Sequence, residues 1–156
     1  MSKPLNVGDP APDFDLSSAG GKRVNLARFK GKQIILYFYP KDDTSGCTAE
    51  ALNFTEAAAK FAAADAVVLG VSADSVASHD KFAAKYGLKV QLASDPEKSA
   101  IADYGVWVEK KLYGRTYMGI ERATFLIGKD RRIRRIWRKV RVKGHVDEVL
   151  EAAQKA

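Results

Sequence analysis

The chain of 156 residues is poor in the side chains that build disulfides and metal centres. It holds one cysteine, Cys47, and two histidines, His79 and His145. A single cysteine excludes an intrachain disulfide and every multi-cysteine metal cluster, and two histidines leave little for a histidine-based metal site. The sequence therefore predicts neither a metal nor another cofactor, and we expect both histidines to lie at the surface.

Long hydrophobic runs are also missing. No apolar stretch approaches the ~18 residues that suggest a membrane-spanning helix, and the start of the chain lacks the apolar region of a signal peptide. We therefore expect a cytoplasmic protein without membrane contact. Hydrophobic residues make up 46% and charged residues 29% of the chain, which is typical of globular proteins. Length and composition predict one domain over residues 1–156.

The formal net charge of +7 is concentrated in one segment. Residues 129–143 contain nine lysines and arginines and one acid, Asp130, a local balance of +8. Such a segment either binds phosphates or an acidic partner, or forms the solvated face of a strand. Apolar residues are interleaved with the charges and no nucleic-acid-binding motif accompanies them. We therefore favour the solvated strand and expect no nucleic-acid partner.

Hydrophobic patterning predicts an alternation of strands and helices. Apolar, β-branched runs predict strands at 33–39, 66–72, 123–127 and 132–138. Helical spacing of apolar residues predicts helices at 45–64, 75–86, 97–104 and 145–153. Residues 9–16, which include two prolines, and residues 90–93 are expected to be extended. This order predicts an α/β fold with a central mixed sheet and helices on both faces.

The segment with the clearest chemical signal follows the strand at 33–39, which Pro40 ends. A polar turn leads from there to Cys47 at the start of a predicted helix, where unpaired backbone N–H groups and the helix dipole stabilise a thiolate. A lone cysteine is more often an inert buried residue, but this strand, turn and helix context favours a reactive thiol. Thr44, three residues earlier, either reaches the sulfur or caps the helix.

The run Pro-Lys-Asp-Asp-Thr-Ser-Gly-Cys-Thr, residues 40–48, resembles the Pro-x-x-x-Thr-x-x-Cys active-site motif of peroxiredoxins. It is most similar to the bacterioferritin-comigratory-protein (peroxiredoxin Q) subgroup. Further matches to that subgroup follow in order at 8–14, 69–75, 78–82, 104–107, 119–127 and 137–145. The resemblance implies a thioredoxin-like fold and thiol-dependent reduction of hydrogen peroxide and organic hydroperoxides.

The resemblance also implies roles for individual residues. Cys47 would be the peroxidatic nucleophile, and its product with peroxide a sulfenic acid. Thr44 would hydrogen-bond the sulfur and the peroxide, and Pro40 would shield the thiolate from water.

Arg122 matches the family's arginine, which reaches the sulfur from a distant strand. A thiolate attacks the O–O bond in line while negative charge develops on the departing oxygen, and an adjacent arginine stabilises that charge. The alternative for Arg122 is a surface ion pair with Glu121 or Glu109. Its place before an apolar strand favours the role at the sulfur.

Three further residues are expected to support the site. Glu50 matches a position that in many peroxiredoxins holds the arginine, so it either supports the site or occupies the first helical turn because the helix dipole favours an acid there. Gly46 is expected to contribute its backbone N–H next to Cys47. Tyr37 and Tyr39 alternate on a buried strand and are expected in the core, although Tyr39 could also form a wall of the pocket.

The chain departs from the subgroup at the positions of a second, resolving cysteine. Leu52 and Ala83 stand at the two positions where subgroup members carry it. The pattern therefore resembles one-cysteine members, and either a natural one-cysteine form or an engineered substitution gives it. Position 45 is also serine where the subgroup usually has proline, from which we expect a looser turn and unchanged chemistry.

Without a resolving cysteine, the Cys47 sulfenic acid needs a thiol from outside the chain. The resemblance implies thioredoxin, glutaredoxin or glutathione as that reductant. It favours a monomer, with a disulfide dimer through Cys47 as the alternative. A second function class is a redox sensor or binding module in which Cys47 oxidation alters partner interaction.

Overall fold

The computed structural model describes residues 5–156 and consists of strands and helices in alternation. The elements in chain order are β1 (Asp15–Ser18), β2 (Arg23–Asn25), β3 (Gln33–Phe38), α1 (Ser45–Glu56), α2 (Ala58–Ala63), β4 (Ala66–Ser72), α3 (Val76–Tyr86), β5 (Gln91–Ser94), α4 (Ser99–Asp103), β6 (Trp107–Leu112), β7 (Arg115–Ile120), β8 (Ala123–Ile127), β9 (Ile133–Trp137) and α5 (His145–Lys155). Short 3-10 turns lie at Ala19–Gly21 and Ala27–Phe29. Across residues 5–156, none of the helices has both the length and the apolar character that a bilayer crossing requires.

Seven strands form one mixed sheet in the order β2-β1-β5-β4-β3-β8-β9. The central strand β3 pairs in parallel with β4 and antiparallel with β8, and β9 then adds an antiparallel edge. This arrangement confirms the predicted mixed sheet. It also places the start of β8 beside the end of β3, because Phe38 and Ala123 are partners in the antiparallel register.

The sheet separates two hydrophobic cores, and helices cover both of its faces. Ile34, Leu36 and Phe38 point into a core that includes α4, whereas Ile35 and Tyr37 point into a core that includes α1, α2, α3 and α5. All six residues of β3 are buried. A strand covered on both faces reads as a continuous apolar run, which is why β3 could be predicted from the sequence.

Several elements differ from the sequence prediction. The helix expected over 45–64 is interrupted at Ala57, whose backbone dihedrals (φ −92°, ψ 3°) separate α1 from α2. The hairpin of β1 and β2 and the separate two-stranded sheet of β6 and β7 were not predicted. Most side chains of β6 and β7 are exposed, so this hairpin carries no run of buried residues for the pattern to show.

Both histidines are buried, so the expectation of surface positions was wrong. His79 is 0% and His145 3% exposed. The ring of His79 contacts Asp42, and the ring of His145 contacts the Thr124 hydroxyl. Such partners offset the cost of burying a polar ring, and they come from elements distant in the sequence.

The residues of the basic segment 129–143 make contacts of different kinds. On β9, Ile133 is buried while Arg134 and Arg135 are exposed, which agrees with a solvated strand face. Other members hold loops in place: Arg131 donates to the backbone carbonyls of Lys32 and Leu26.

Candidate active site

Cys47 lies in the first turn of α1, at the edge of the sheet where β3 ends. The turn after β3 reverses the chain direction, and α1 begins at Ser45 as the sequence predicted. Cys47 is only 2% exposed, and its thiol is free. The N-terminus of a helix carries unpaired backbone N–H groups and the positive end of the helix dipole, so Cys47 lies where negative charge is stabilised.

Arg122 reaches the sulfur from the other side of the site. It immediately precedes β8, whose register with β3 brings it next to α1. Its Nη2 donates to Cys47 Sγ at 3.4 Å. The alternative of an ion pair with Glu121 or Glu109 is not formed, because Glu121 pairs with Arg138 and Arg122 pairs with Glu50.

Glu50 lies three residues after Cys47 and therefore on the same face of α1. It is 0% exposed, and its Oε1 accepts a hydrogen bond of 2.7 Å from Arg122 Nη1. Its Oε2 is buried and has no partner among the described residues. Burial raises the pKa of Glu50 to about 7, although the Arg122 charge and hydrogen bond act in the opposite direction. Glu50 can therefore hold or release a proton near neutral pH.

Gly46 allows the close approach of the guanidinium. A Cβ atom at this position would lie 3.0 Å from Arg122 Nη2. From the sequence, Gly46 is expected to act through its backbone N–H. The structure adds a steric reason, since a side chain here would displace the arginine.

Tyr37 lies in the core, as predicted, and the same buried cluster contains Cys47. Its ring stacks on Phe54 with centroids 4.7 Å apart, and its hydroxyl has no partner among the described residues. Burial and the nearby charges of Glu50 and Cys47 raise the pKa of Tyr37 well above its ordinary value, so the phenol stays protonated. In the sequence, the only sign that Tyr37 lies near the candidate site is its alternation with Tyr39 on β3.

His145 lies behind the arginine, at the start of α5. Its Nε2 is 2.8 Å from the hydroxyl of Thr124. Burial lowers the pKa of His145 to about 4, and the Arg122 charge lowers it further. The His145 ring is therefore neutral at pH 7. The positive charge beside the sulfur comes from Arg122.

Three predicted site residues have other contacts. The Thr44 hydroxyl donates to the Lys41 carbonyl at 2.9 Å and makes no capping bond. Pro40 is exposed at the end of β3. Tyr39 is 1% exposed, as expected for the core, and its hydroxyl donates to Asp42. The roles of Thr44 and Pro40 at the sulfur stay predictions.

The structure thus brings a thiol, a guanidinium and a carboxyl with a near-neutral pKa into contact. Such a group can attack an electrophile through sulfur and stabilise a developing anion. Across residues 5–156, no three histidine, cysteine, aspartate or glutamate side chains are grouped to hold a metal ion.

The sequence of this chain is similar to a known protein family and to individual relatives. Residues 7–136 match the AhpC/TSA family. The chain is 48% identical over 147 residues to peroxiredoxin Bcp of Bacillus subtilis (strain 168), with 94% of each chain covered. It is 39% identical over 147 residues to peroxiredoxin Bcp of Escherichia coli (strain K12), again with 94% of each covered.

Solved structures of similar proteins have the same fold as this chain. The bacterioferritin comigratory protein of Xanthomonas campestris, studied for its alkyl peroxide reduction activity, is 43% identical with a TM-score of 0.87, over 91% of this chain and 90% of that one. A cysteine-to-serine mutant of Xylella fastidiosa PrxQ is 39% identical with a TM-score of 0.92, over 99% and 98%. The thioredoxin-like fold implied by the motif is confirmed.

Proposed function

The chain belongs to the AhpC/TSA family and is a peroxiredoxin of the Bcp type, and on that premise we propose that Cys47 is its peroxidatic cysteine. The observation that carries the proposal is the 3.4 Å contact between Arg122 Nη2 and Cys47 Sγ at the N-terminus of α1. As in the Xanthomonas relative, alkyl hydroperoxides are then substrates, together with hydrogen peroxide.

The first half-reaction oxidises the sulfur. The Cys47 thiolate attacks one peroxide oxygen, the S–O bond forms as the O–O bond breaks, and the departing oxygen takes up a proton to leave as water or an alcohol. Sulfur loses two electrons and becomes a sulfenic acid. Arg122 stabilises both the thiolate and the negative charge on the departing oxygen, which is the largest contribution that this site offers.

Glu50 and Gly46 act on the arginine. The carboxylate of Glu50 fixes the guanidinium through the 2.7 Å bond to Nη1, which leaves Nη2 directed at the sulfur. Gly46 leaves the space that this orientation needs. Thr44 and Pro40 are proposed to complete the site when peroxide binds, with Thr44 exchanging its bond to Lys41 for one to the substrate.

The second half-reaction needs a thiol from outside, because the sequence contains no second cysteine. One thiol condenses with the sulfenic acid, which releases water and forms a mixed disulfide with Cys47. A second thiol then restores the Cys47 thiol and leaves as part of the reductant's disulfide. Thioredoxin, glutaredoxin and glutathione each supply this chemistry.

We propose a monomeric, single-domain enzyme of the cytoplasm. A cycle that returns Cys47 to a free thiol needs a reducing compartment, which the cytoplasm provides. Dimerisation through a Cys47 disulfide is the competing state, and the 2% exposure of Cys47 opposes it, since two such sulfurs cannot meet without displacing α1.

Peroxide consumption with dithiothreitol as donor tests the function, with turnovers counted per chain for the wild type and Cys47→Ser. Many turnovers that disappear in the variant are expected. Consumption of one equivalent without further turnover would instead support a redox sensor. No dependence on Cys47 would refute the proposed role of this residue.

A further inference from the structure

A second buried charged cluster lies beside the peroxide site and takes no part in the chemistry described above. It centres on Asp42, in the turn between β3 and α1, which is 7% exposed. Asp42 Oδ1 accepts from the Tyr39 hydroxyl at 2.5 Å. Its Oδ2 is 2.7 Å from His79 Nδ1 and accepts from the Ser78 hydroxyl at 2.8 Å.

Both ring nitrogens of His79 are held. Its Nε2 is 2.9 Å from the carbonyl oxygen of Ala93, which can only accept a hydrogen bond. Its Nδ1 faces the Asp42 carboxylate. Burial alone would raise the pKa of Asp42, but the hydrogen bonds from His79 and Tyr39 lower it overall. His79 and Asp42 therefore form a buried pair of fixed geometry.

This pair fastens the turn that carries the reactive cysteine. The Asp42 backbone N–H also donates to Asp74 Oδ2 at 2.8 Å, so both its side chain and its backbone are held. The next residue, Asp43, has a φ of 60°, in the left-handed region that aspartate adopts more readily than most residues other than glycine. Four residues later the chain reaches Cys47. The turn is therefore held by the contacts of Asp42 to α3 and to the loop before it.

Stability alone is a weak reason for such a pair. Replacing a buried ion pair with apolar groups is often neutral or stabilising, whereas the pair fixes one geometry. The fixed element here sets the position of the α1 N-terminus, and hence of Cys47 Sγ relative to Arg122. Catalytic rates are sensitive to such placement, since a displacement of about 1 Å can cost about 100-fold.

We propose that Asp42 and His79 are positioning residues that favour the peroxide half-reaction over the thiol half-reaction. Peroxide is small enough to reach a sulfur that is 2% exposed, whereas a reducing thiol brings a bulkier chain. The contact between Asp42 and His79 holds the turn in the arrangement that places Cys47 at Arg122. The same restraint opposes the displacement of the turn that lets a thiol reach the sulfenic acid. This inference rests on the proposed role of Cys47.

Two substitutions of His79 separate positioning from packing. The amide nitrogen of His79→Asn can take the place of Nδ1 and still donate to Asp42, whereas that of His79→Gln takes the place of Nε2 and donates to Ala93. The matched control is Lys85→Gln, because Lys85 ties Asp43 to the same helix through an exposed pair of 2.8 Å. Each half-reaction is measured in a single turnover, by trapping free thiol and sulfenic acid for mass spectrometry.

For His79→Gln we expect the rate of oxidation by hydrogen peroxide to fall between about tenfold and 100-fold. Reduction of its sulfenic acid by dithiothreitol should become faster. His79→Asn should retain most of the oxidation rate, and Lys85→Gln should match the wild type in both steps. Unchanged oxidation in a folded His79→Gln, an equal fall in both steps, or equal impairment in His79→Asn would overturn the proposal.

Ser78→Ala provides the test if His79→Gln does not fold. It removes one hydrogen bond to Asp42 without leaving a buried charge unpaired, so we expect the same opposite changes at about two- to tenfold. Unchanged rates in this variant would then overturn the proposal. A wild type without Cys47-dependent peroxide consumption would instead contradict the proposed function itself, which keeps the two failures distinct.

Discussion

Two buried carboxyl groups lie on either side of the N-terminus of α1, and their surroundings shift their pKa values in opposite directions. Asp42 accepts hydrogen bonds from Tyr39, Ser78 and His79, and these donors lower its pKa. Glu50 has Arg122 as its partner, one of its oxygens has no partner within residues 5–156, and burial raises its pKa to about 7. A fully bonded carboxylate fixes geometry, whereas an incompletely bonded one remains available for proton exchange near pH 7.

The partners of the two carboxyl groups differ in the same way. His79 is enclosed between Asp42 and the Ala93 carbonyl, so both of its ring nitrogens serve to hold the turn. Arg122 divides its donors between Glu50 and the sulfur, and its side chain is 17% exposed. Substitutions at each cluster should therefore change different properties of the enzyme.

The largest effect is expected from removing the cation at the sulfur. Arg122→Met should lower the rate of Cys47 oxidation by about 100- to 1,000-fold, because a preorganised donor to the developing anion is lost. Stopped-flow measurement of peroxide consumption checks this. Arg138→Met removes the other arginine of this region, which pairs with Glu121, and should retain the wild-type rate. Equal losses in both variants would contradict the assignment of Arg122.

A smaller loss is expected when the cation is displaced instead of removed. Gly46→Ala places a methyl group 3.0 Å from the present position of Arg122 Nη2, and the flexible guanidinium should shift away from the sulfur. Oxidation should slow by about tenfold, while the helix gains up to about 1 kcal/mol from replacing glycine with alanine. Thermal unfolding and peroxide kinetics together check this opposition.

Ser45→Ala is the control for that prediction. It changes helix propensity in the same turn of α1 at an exposed position. Its oxidation rate should equal that of the wild type. A Gly46→Ala enzyme of full activity would show that Arg122 does not depend on the space at Gly46.

The two carboxyl groups should give opposite pH dependences of stability. Between pH 4.5 and about 7 the folded protein binds a proton at Glu50 that the unfolded chain releases, so Glu50 makes the free energy of unfolding fall as pH rises. Asp42 has a lowered pKa, so its contribution is present above pH 3.8 and is lost as pH falls below that value.

Urea unfolding of Glu50→Gln and Asp42→Asn at a series of pH values tests both signs. Glu50→Gln should gain stability relative to the wild type as pH rises from 4.5 to 7, by about one to three kcal/mol. Asp42→Asn should be destabilised at neutral pH, with a smaller deficit in acid. Parallel curves for Glu50→Gln and the wild type would show that the pKa of Glu50 is the same in the folded and the unfolded protein.

His145 is expected to change the free energy of unfolding with pH in the direction opposite to Glu50. Its pKa is lowered to about 4, so it contributes stability above pH 6.5 that is lost as pH falls towards 4. His145→Gln can retain a donor to Thr124 and should reduce this acid sensitivity. In the wild type the contributions of His145 and Glu50 overlap and largely cancel, so only the single variants reveal them.

Much of the site could be predicted from local sequence. The apolar run of β3, the turn after it and the helix starting at Ser45 place Cys47 at a helix N-terminus. The spacing of Glu50 from Cys47 puts both side chains on one helical face. These are short-range relations, governed by backbone periodicity, and they hold before any tertiary contact forms.

The predictions that failed concern groups whose partners are far away in the chain. The histidines were expected at the surface because neither has a neighbouring ligand set, yet His79 is satisfied by Asp42, 37 residues earlier. The sequence favoured Arg122 at the sulfur over a surface ion pair with Glu121 or Glu109, but it did not show that the acid paired with Arg122 is Glu50, 72 residues away.

The sequence by itself therefore determined the elements that present Cys47, the proposed reactive residue, since hydrophobic period and helix termini are properties of a few consecutive residues. Only the tertiary structure decided which partners each ionisable side chain has. The register between β3 and β8 delivers Arg122 to Cys47, and the packing of α3 against the turn pairs Asp42 with His79. The physical reason is that the cost of burying a charge depends on the donors and acceptors that surround it, and those are assembled by the fold.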